Sequence, residues 1–283
     1  MLAVGILGRG YLGREIQRII DNSESSWYSI RLGDSVTPEI ESLQTIIRFD
    51  WDDSTTWTNI PDKAVRLVLT IPPVLKDRDR EKMRVKAWCR WMNKNRGEYK
   101  NLVYISSTGV YPNQAGYWDE YSDVKPDTLK GFQRLDTETI LGEHFKLRVI
   151  RAGAIYGEKR NIGERILNGK TIPSGDHPVH RIHVCDLARI VKLALMEESF
   201  PSIVNAVDLD ADSSEQVANW LVGQDYFQIS PDNKINFSKG YVSRKFKTQQ
   251  PKREISNHCL LKQCEYDFLY PTYREGLKQI FGP

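Results

Sequence analysis

The ten residues Val4-Gly5-Ile6-Leu7-Gly8-Arg9-Gly10-Tyr11-Leu12-Gly13 constrain the fold most tightly. A short apolar run, Leu2–Leu7, breaks at a G-x-G-x-x-G turn and gives way to the helical pattern Tyr11–Ile20. In such a turn the first glycine allows a sharp strand-to-helix reversal. The second lets backbone amides approach a pyrophosphate, and the third lets the helix pack closely on the strand. Ile16, Ile19 and Ile20 continue the apolar stripe of that helix. Its N-terminus would turn unpaired N–H groups and the positive dipole end toward the diphosphate. The expected cofactor contacts are Gly8, Arg9, Gly10, Tyr11, Leu12 and Gly13.

Six further apolar or β-branched runs follow, at Trp27–Leu32, Thr45–Phe49, Val65–Ile71, Leu102–Ser106, Leu147–Arg151 and Ile203–Val207. Near-continuous runs of this kind suit strands covered on both faces. Helical patterns lie between several of them, at Lys76–Asn95, Leu129–Gly142 and Val184–Met196. Strand alternating with helix predicts an α/β fold of the Rossmann type, a doubly wound parallel sheet. After Tyr156-Gly157 the pattern breaks into short pieces around Gly163, Gly169, Pro173, Gly175 and Pro178. Beyond Asp208 come a helix at Ser213–Val222, an irregular basic segment and the aromatic-rich end Tyr266–Phe281. We therefore expect residues 1–157, with 181–207 returning to them, to form the dinucleotide-binding domain. Residues 158–180 and 208–283 are expected to form a smaller C-terminal lobe that binds substrate.

The chain has 283 residues, 40% hydrophobic and 27% charged, an ordinary globular composition. The opening apolar run stops after seven residues at a turn carrying Arg9 and Arg14, which suits neither a signal peptide nor a membrane span. Cys89, Cys185, Cys259 and Cys264 match no zinc or redox spacing and read as reduced thiols of a cytoplasmic protein. The net charge is +3, and the basic stretch Lys239–Arg253 is interleaved with Tyr241, Val242 and Phe246. It reads as a solvated loop or a rim for an anionic substrate, with nucleic-acid binding the less favoured alternative.

A second constellation, Val103-Tyr104-Ile105-Ser106-Ser107-Thr108-Gly109-Val110-Tyr111, puts hydroxyls just past the end of a buried strand, where they could reach a carbonyl or alcohol or simply cap a turn. With the glycine turn, it resembles the SSxxVYG strand end of extended short-chain dehydrogenases and sugar-nucleotide epimerases. Glu138-Thr139-Ile140-Leu141 resembles the end of their active-site helix, and Leu147–Gly157 the strand that follows. Arg181-Ile182-His183-Val184-Cys185-Asp186-Leu187-Ala188 is similar to their RxIHVxDLA segment. Ile71-Pro72-Pro73, Gly116–Glu120 and Tyr270–Leu277 resemble an atypical bacterial branch of NAD-dependent epimerase/dehydratase-like proteins.

The resemblance implies a Tyr-x-x-x-Lys pair on the active-site helix, eight and four residues before the glutamate. Counting back from Glu138 puts Arg134 at the lysine position and Lys130 at the tyrosine position, so the usual acid/base tyrosine is missing. Arg134 could keep a ribose bond but is a poor proton donor. Lys130 could move a proton if its surroundings favoured the neutral amine, and otherwise is a solvated helix residue. Tyr111, Tyr117, Asp119, Glu120, Tyr156 and His183 are the other candidate acids, with His183 expected to be structural. Ser107 or Thr108 would hold the substrate oxygen.

The residue reading the adenine ribose should close the second strand. Arg31 there favours the 2′-phosphate of NADP and Asp34 the free hydroxyl of NAD; the arginine of the atypical branch tips the reading to NADP. Asp50 resembles the family's adenine-edge aspartate, while Thr70, Ile71, Pro72 and Ser106 are expected to line the cofactor. Met83, Ala87, Trp88, Trp91 and Met92 give helix 76–95 a broad apolar surface, which suits a wide core face; the resemblance implies, as the alternative, that this helix and the active-site helix pair with a partner's in a homodimer. The implied activity is that of an NAD(P)-dependent oxidoreductase or epimerase/dehydratase-like enzyme. Its substrate would be a small metabolite, and Lys159, Arg160, Arg165, Arg244 and Lys245 suit a phosphorylated or carboxylated one. The alternative is a protein that binds NAD(P) as a sensor or scaffold and transfers no hydride.

Overall fold

The computed structural model describes residues 4–20, 26–31, 33–34, 46–62, 66–74, 76–97, 99, 101–228, 235–238 and 252–283. In chain order the elements are β1 (Val4–Leu7), α1 (Tyr11–Ile20), β2 (Ser26–Ile30), β3 (Ile46–Arg48), β4 (Arg66–Leu69), α2 (Arg78–Asn95), β5 (Asn101–Ser107), β6 (Gly116–Trp118), α3 (Leu129–Gly142), β7 (Lys146–Ala152) and β8 (Ala154–Tyr156). They continue with α4 (Ile162–Leu167), β9 (Arg181–His183), α5 (Val184–Met196), β10 (Ile203–Ala206), α6 (Ser214–Val222), β11 (Arg253–Ile255), α7 (His258–Lys262) and α8 (Tyr273–Phe281).

The seven apolar runs expected to be strands form one seven-stranded sheet, in the order β10-β7-β5-β4-β1-β2-β3. The pairs β1/β2, β1/β4, β2/β3 and β4/β5 are parallel. From β1 the chain steps outward to β2 and β3, then returns to β1's other side as β4. That reversal opens a crevice at the carboxyl ends of β1 and β4, the usual ligand position in open α/β sheets. β1 and β2 are buried along their whole lengths, which explains why neither shows strand alternation.

The chain divides into two compact units. The first comprises Met1–Pro112, Asp123–Arg151 and Ala188–Val204; the second comprises Asn113–Ser122, Ala152–Leu187 and Asn205–Pro283. An aromatic cluster of Trp27, Phe49, Trp51, Trp57, Trp88 and Tyr99 packs with Leu67, Leu69 and Met92 in the core of the first unit. Each large side chain buried there contributes about 2 kcal/mol. Trp88 and Met92 are fully buried, while Ala87 and Trp91 pack on the cluster. Most of α2's broad apolar surface is thus core, whereas Met83 is 63% exposed. Asp77 caps α2 by accepting the Asp79 and Arg80 amides.

The second unit has its own core, in which Tyr156, Ile166, Val217, Leu221, Phe227, Tyr273 and Leu277 pack together. Two small parallel pairs, β6/β11 and β8/β9, belong to it. Asp186 is fully buried and accepts hydrogen bonds from the Tyr266 hydroxyl (2.8 Å), the Leu269 amide (2.8 Å) and the Tyr270 amide (2.9 Å). This carboxylate ties the start of α5 to the aromatic-rich C-terminal segment. Residues 239–251, including Arg244 and Lys245, lie outside the described residues. Among the described residues no helix is long and apolar enough to cross a membrane.

Candidate functional site: a glycine turn and a basic cleft

The turn after β1 is built from backbone contacts. Gly8 has φ +109°, a conformation that side-chain-bearing residues rarely adopt, and a Cβ there would lie 2.5 Å from Thr70 Oγ1. Thr70 Oγ1 donates to the Gly8 carbonyl at 2.7 Å, and the Thr70 amide donates to the Leu7 carbonyl at 2.9 Å, so the end of β4 braces the turn. A Cβ on Gly13 would lie 2.0 Å from the Gly8 oxygen. Helix α1 therefore sits closer to the turn than any other residue type permits. Around Gly10, by contrast, a Cβ would meet nothing within 4 Å. The second glycine borders open space, as a turn that admits a diphosphate requires.

Two amides of the turn are already used: Gly8 N–H donates to Ser29 Oγ (2.9 Å) and Arg9 N–H to the Ser29 carbonyl (3.0 Å). Ser29, buried in β2, was not singled out from the sequence. A polar residue within an otherwise buried strand was the available signal. The Arg9 guanidinium donates to Gln17 Oε1 at 2.8 Å and lies 4.8 Å from the Tyr28 ring centroid. Leu12 is core, and Tyr11 is half-buried. Arg31 is exposed beyond β2, and its amide donates to the Asp34 carboxylate at 3.3 Å. The Asp34 carboxylate thus faces back onto its own turn. Asp50 accepts the Asp52 amide at 2.8 Å, and its carbonyl accepts Trp57 Nε1 at 3.0 Å. Ile71 lies beside the Gly8 turn, with Pro72 exposed after it.

At the end of β5, Ser106 is buried and donates to Glu138 Oε1 at 2.5 Å. Arg151 donates to the same carboxylate, at 2.8 Å from Nη2 and 3.3 Å from Nε, and to the Tyr111 hydroxyl at 2.9 Å. All four side chains are at least nine-tenths buried. Burial opposes the Arg151 charge, but the hydrogen bonds and charge of Glu138 outweigh it and hold the guanidinium pKa above its ordinary value. Ser106 therefore faces a structural network, as does Tyr111. The network escaped sequence reasoning because its members lie on three separate segments.

Ser107 Oγ accepts the Gly109 amide at 3.1 Å and so caps the short 3₁₀ turn Thr108–Val110, in which Thr108 is buried. Helix α3 is pressed onto that turn: a Cβ on Gly131 would lie 2.3 Å from the Gly109 oxygen. Arg134, one turn along α3, donates to the Ile105 carbonyl (2.6 Å) and the Tyr104 hydroxyl (3.1 Å). Burial raises the Tyr104 pKa, and the Arg134 charge only partly offsets it. Lys130 is exposed on the first turn of α3. Helix α3 thus meets the β5 end, and Arg134 spends its guanidinium on the strand.

The remaining candidate acids lie in the second unit. His183 is buried, its Nδ1 accepting the Cys185 amide at 3.3 Å and its ring 5.1 Å from that of Tyr156. Burial pushes the Tyr156 hydroxyl well above its usual pKa. Glu120 accepts the Asn205 amide at 2.8 Å, Asp119 caps its own turn at Ser122, and Tyr117 is exposed.

The second unit also holds an open cleft of about 410 Å³ between β8, α4 and their connecting loops. Among the described lining residues are Lys159, Arg160, Arg165, Lys170 and Arg181, together with the carboxylate of Glu164. Arg165 donates to the Thr171 carbonyl, and Arg181 donates to the Val179 (2.8 Å) and Asp212 (2.6 Å) carbonyls. Lys159 adopts φ +61° in a tight turn closed by reciprocal Gly157 and Arg160 hydrogen bonds of 3.1 Å. A lysine in this conformation costs about 1 kcal/mol relative to glycine.

No family model and no curated protein matches the sequence. Solved structures do. A functionally unknown conserved protein from Silicibacter pomeroyi DSS superposes with a TM-score of 0.76 at 15% identity, covering 99% of this chain and 98% of that one. UDP-N-acetylglucosamine 4-epimerase from Bacillus cereus gives 0.73 at 16%, covering 99% and 98%. dTDP-glucose 4,6-dehydratase from Bacillus anthracis, solved with NAD, gives 0.74 at 14%, covering 99% and 96%. The chain has the fold of these epimerases and dehydratases, the fold anticipated from its motifs.

Proposed function

We propose that the protein is an NAD(P)-dependent oxidoreductase or epimerase/dehydratase-type enzyme acting on a hydroxyl- or carbonyl-bearing carbon of a small phosphorylated or sugar-like metabolite. The observation that carries this reading is the contrast within the glycine turn, closed at Gly8 and Gly13 and open at Gly10. The residues fit a dinucleotide, with the first turn of α1 facing the diphosphate and Arg9 and Arg31 near the ribose end. The Asp34 carboxylate already accepts the Arg31 amide, which supports NADP over NAD. Bound nicotinamide would supply or accept hydride.

The protein's own part is to orient and to move a proton. Ser107 and Thr108, on a turn held by α3 and by the Glu138–Arg151 network, hold the substrate oxygen. Lys130 stands exposed at the position of the missing tyrosine and is the candidate to carry the proton. Arg134 keeps the strand end in position through the Ile105 carbonyl.

A single-turnover assay with [4-²H]NADPH and [4-²H]NADH against carbonyl metabolites tests this reading, deuterium in the product being the expected result. The alternative is a non-catalytic NAD(P) sensor, favoured by one observation: Arg134 is spent on the strand and Lys130 is exposed. Cofactor binding without deuterium transfer to any carbonyl compound would favour that alternative.

A further inference from the structure

We propose that Cys259 and Cys264 form a redox-active dithiol, which small-molecule disulfides oxidise to an intramolecular disulfide while Glu120 takes the proton of the attacking thiol. The site lies wholly within the second unit and depends on neither the cofactor reading nor the basic cleft.

Five positions separate the two cysteines, a spacing without a redox signature. Closure of the chain after α7 brings them together. The Gln263 and Cys264 amides both donate to the Cys259 carbonyl, at 3.0 and 3.1 Å. With standard backbone dimensions the second of these bonds holds the two Cα atoms within about 7 Å. Disulfides span Cα separations up to about 6.8 Å, so a bridge here needs little backbone movement.

Both thiols share one neighbour. Glu120 is 8% exposed; one of its carboxylate oxygens accepts the Asn205 amide at 2.8 Å, and the other is buried with no hydrogen-bond partner among the described residues. A buried carboxylate oxygen without a donor is costly, and a proton from a thiol would relieve it. Burial pushes the Cys259 and Cys264 thiols up to about 11, and the Glu120 charge adds to both. Neither is a thiolate at neutral pH, so exchange requires a base, and the unpartnered Glu120 oxygen is placed to be that base.

The two cysteines differ in access. Cys264 is half-buried, whereas Cys259 is buried, with its Sγ 3.3 Å from Gln263 Nε2 and 3.8 Å from the Tyr121 hydroxyl. Cys264 is therefore the attacking thiol and Cys259 the resolving one. Cys264 passes its proton to Glu120, and its sulfur attacks one sulfur of the reagent. The reagent's S–S bond breaks, and the half that leaves as a thiolate takes the proton from Glu120. Cys259 then loses its proton by the same route, attacks Cys264 Sγ and expels the second half as a thiol. Two electrons and two protons pass from the protein to the reagent, which ends as two thiols.

Incubation of the full chain with oxidised glutathione, followed by acid quenching and peptide mass spectrometry, tests the proposal. Lys262 lies between the cysteines, so a bridge joins tryptic peptides 254–262 and 263–274. That bridged species is expected in the native protein and should disappear with dithiothreitol. Cys259→Ser should stop at one glutathione on Cys264, Cys264→Ser should leave Cys259 unreacted, and Glu120→Gln should slow bridging about tenfold. Thermal melts of the same samples certify that each variant is folded. The proposal is overturned by an absent bridge at equilibrium, by a bridge that forms only in urea, or by reaction of Cys259 in Cys264→Ser. An equal or faster rate in Glu120→Gln would overturn the role given to the carboxylate.

Discussion

The glycine turn of the first unit and the basic cleft of the second are built on opposite principles. In the turn, backbone does the work: atoms of Gly8, Gly13 and Thr70 approach so closely that one methyl group at either glycine would have to displace them. In the cleft, side chains do the work, and long cationic stems surround an open space of about 410 Å³. A backbone-defined site admits one kind of ligand and leaves a rigid signature in the sequence. A side-chain-defined site can be re-specified by a few substitutions without disturbing the fold. The same division explains how one architecture carries many reactions.

The largest effect should come from the buried network behind the β5 end. Glu138→Leu strands the Arg151 charge and should cost about 3–5 kcal/mol, and the double change Glu138→Leu/Arg151→Met should recover much of it. Urea unfolding measures both, and equal losses in single and double variants would mean that the pair is not coupled.

Next, Gly13→Val should destabilise by about 3 kcal/mol, because its Cβ would fall 2.0 Å from the Gly8 oxygen. Gly10→Ala, facing open space, should stay within about 0.5 kcal/mol. If the two substitutions behaved alike, the contrast between closed and open glycines would be wrong. In the second unit, Asp186→Ala removes the acceptor of three hydrogen bonds and should cost about 2–3 kcal/mol, read by the same unfolding experiment.

A smaller effect depends on pH. His180 Nε2 lies 3.2 Å from both the Arg253 carbonyl and the Ile255 amide, and burial, reinforced by the charges of Arg253, Arg181 and His177, lowers its pKa below 6.5. The unfolded chain then binds the proton more readily than the folded one. Stability should be full above pH 6.5 and fall as the pH drops toward the folded pKa, by at most about 1.4 kcal/mol per pH unit. Hydrogen exchange of β11 between pH 5 and 7.5 would detect it, and His180→Gln should flatten the profile. Smallest of all, Lys159→Asn should change thermal stability by less than about 0.5 kcal/mol, because asparagine accepts the left-handed turn.

The seven strands of the main sheet were legible because each is a short apolar run bounded by turn residues, as in Val4–Leu7 and Asn101–Ser107. The small strands Gly116–Trp118, Arg181–His183 and Arg253–Ile255 were not, because three residues carry too little pattern to separate a strand from a loop. At the site, the glycine spacing announced Gly8, Gly10 and Gly13, since local chain geometry alone dictates them. Ser29 as the partner of the Gly8 amide, and Arg151 as the partner of Glu138, depend on tertiary contacts across 21 and 13 positions, which no local pattern encodes. The Ser106 side chain, expected beside a cofactor, is found instead on Glu138.

The most direct measurement is titration of the protein with NADPH and NADH by nicotinamide fluorescence, alongside Gly10→Asp. Because Gly10 borders open space, the aspartate leaves the fold intact and puts a carboxylate where the diphosphate would lie. The account predicts micromolar binding, tighter for NADPH, that is lost in a Gly10→Asp protein of unchanged thermal stability. Absence of binding to either cofactor, or binding that survives the aspartate, would contradict it.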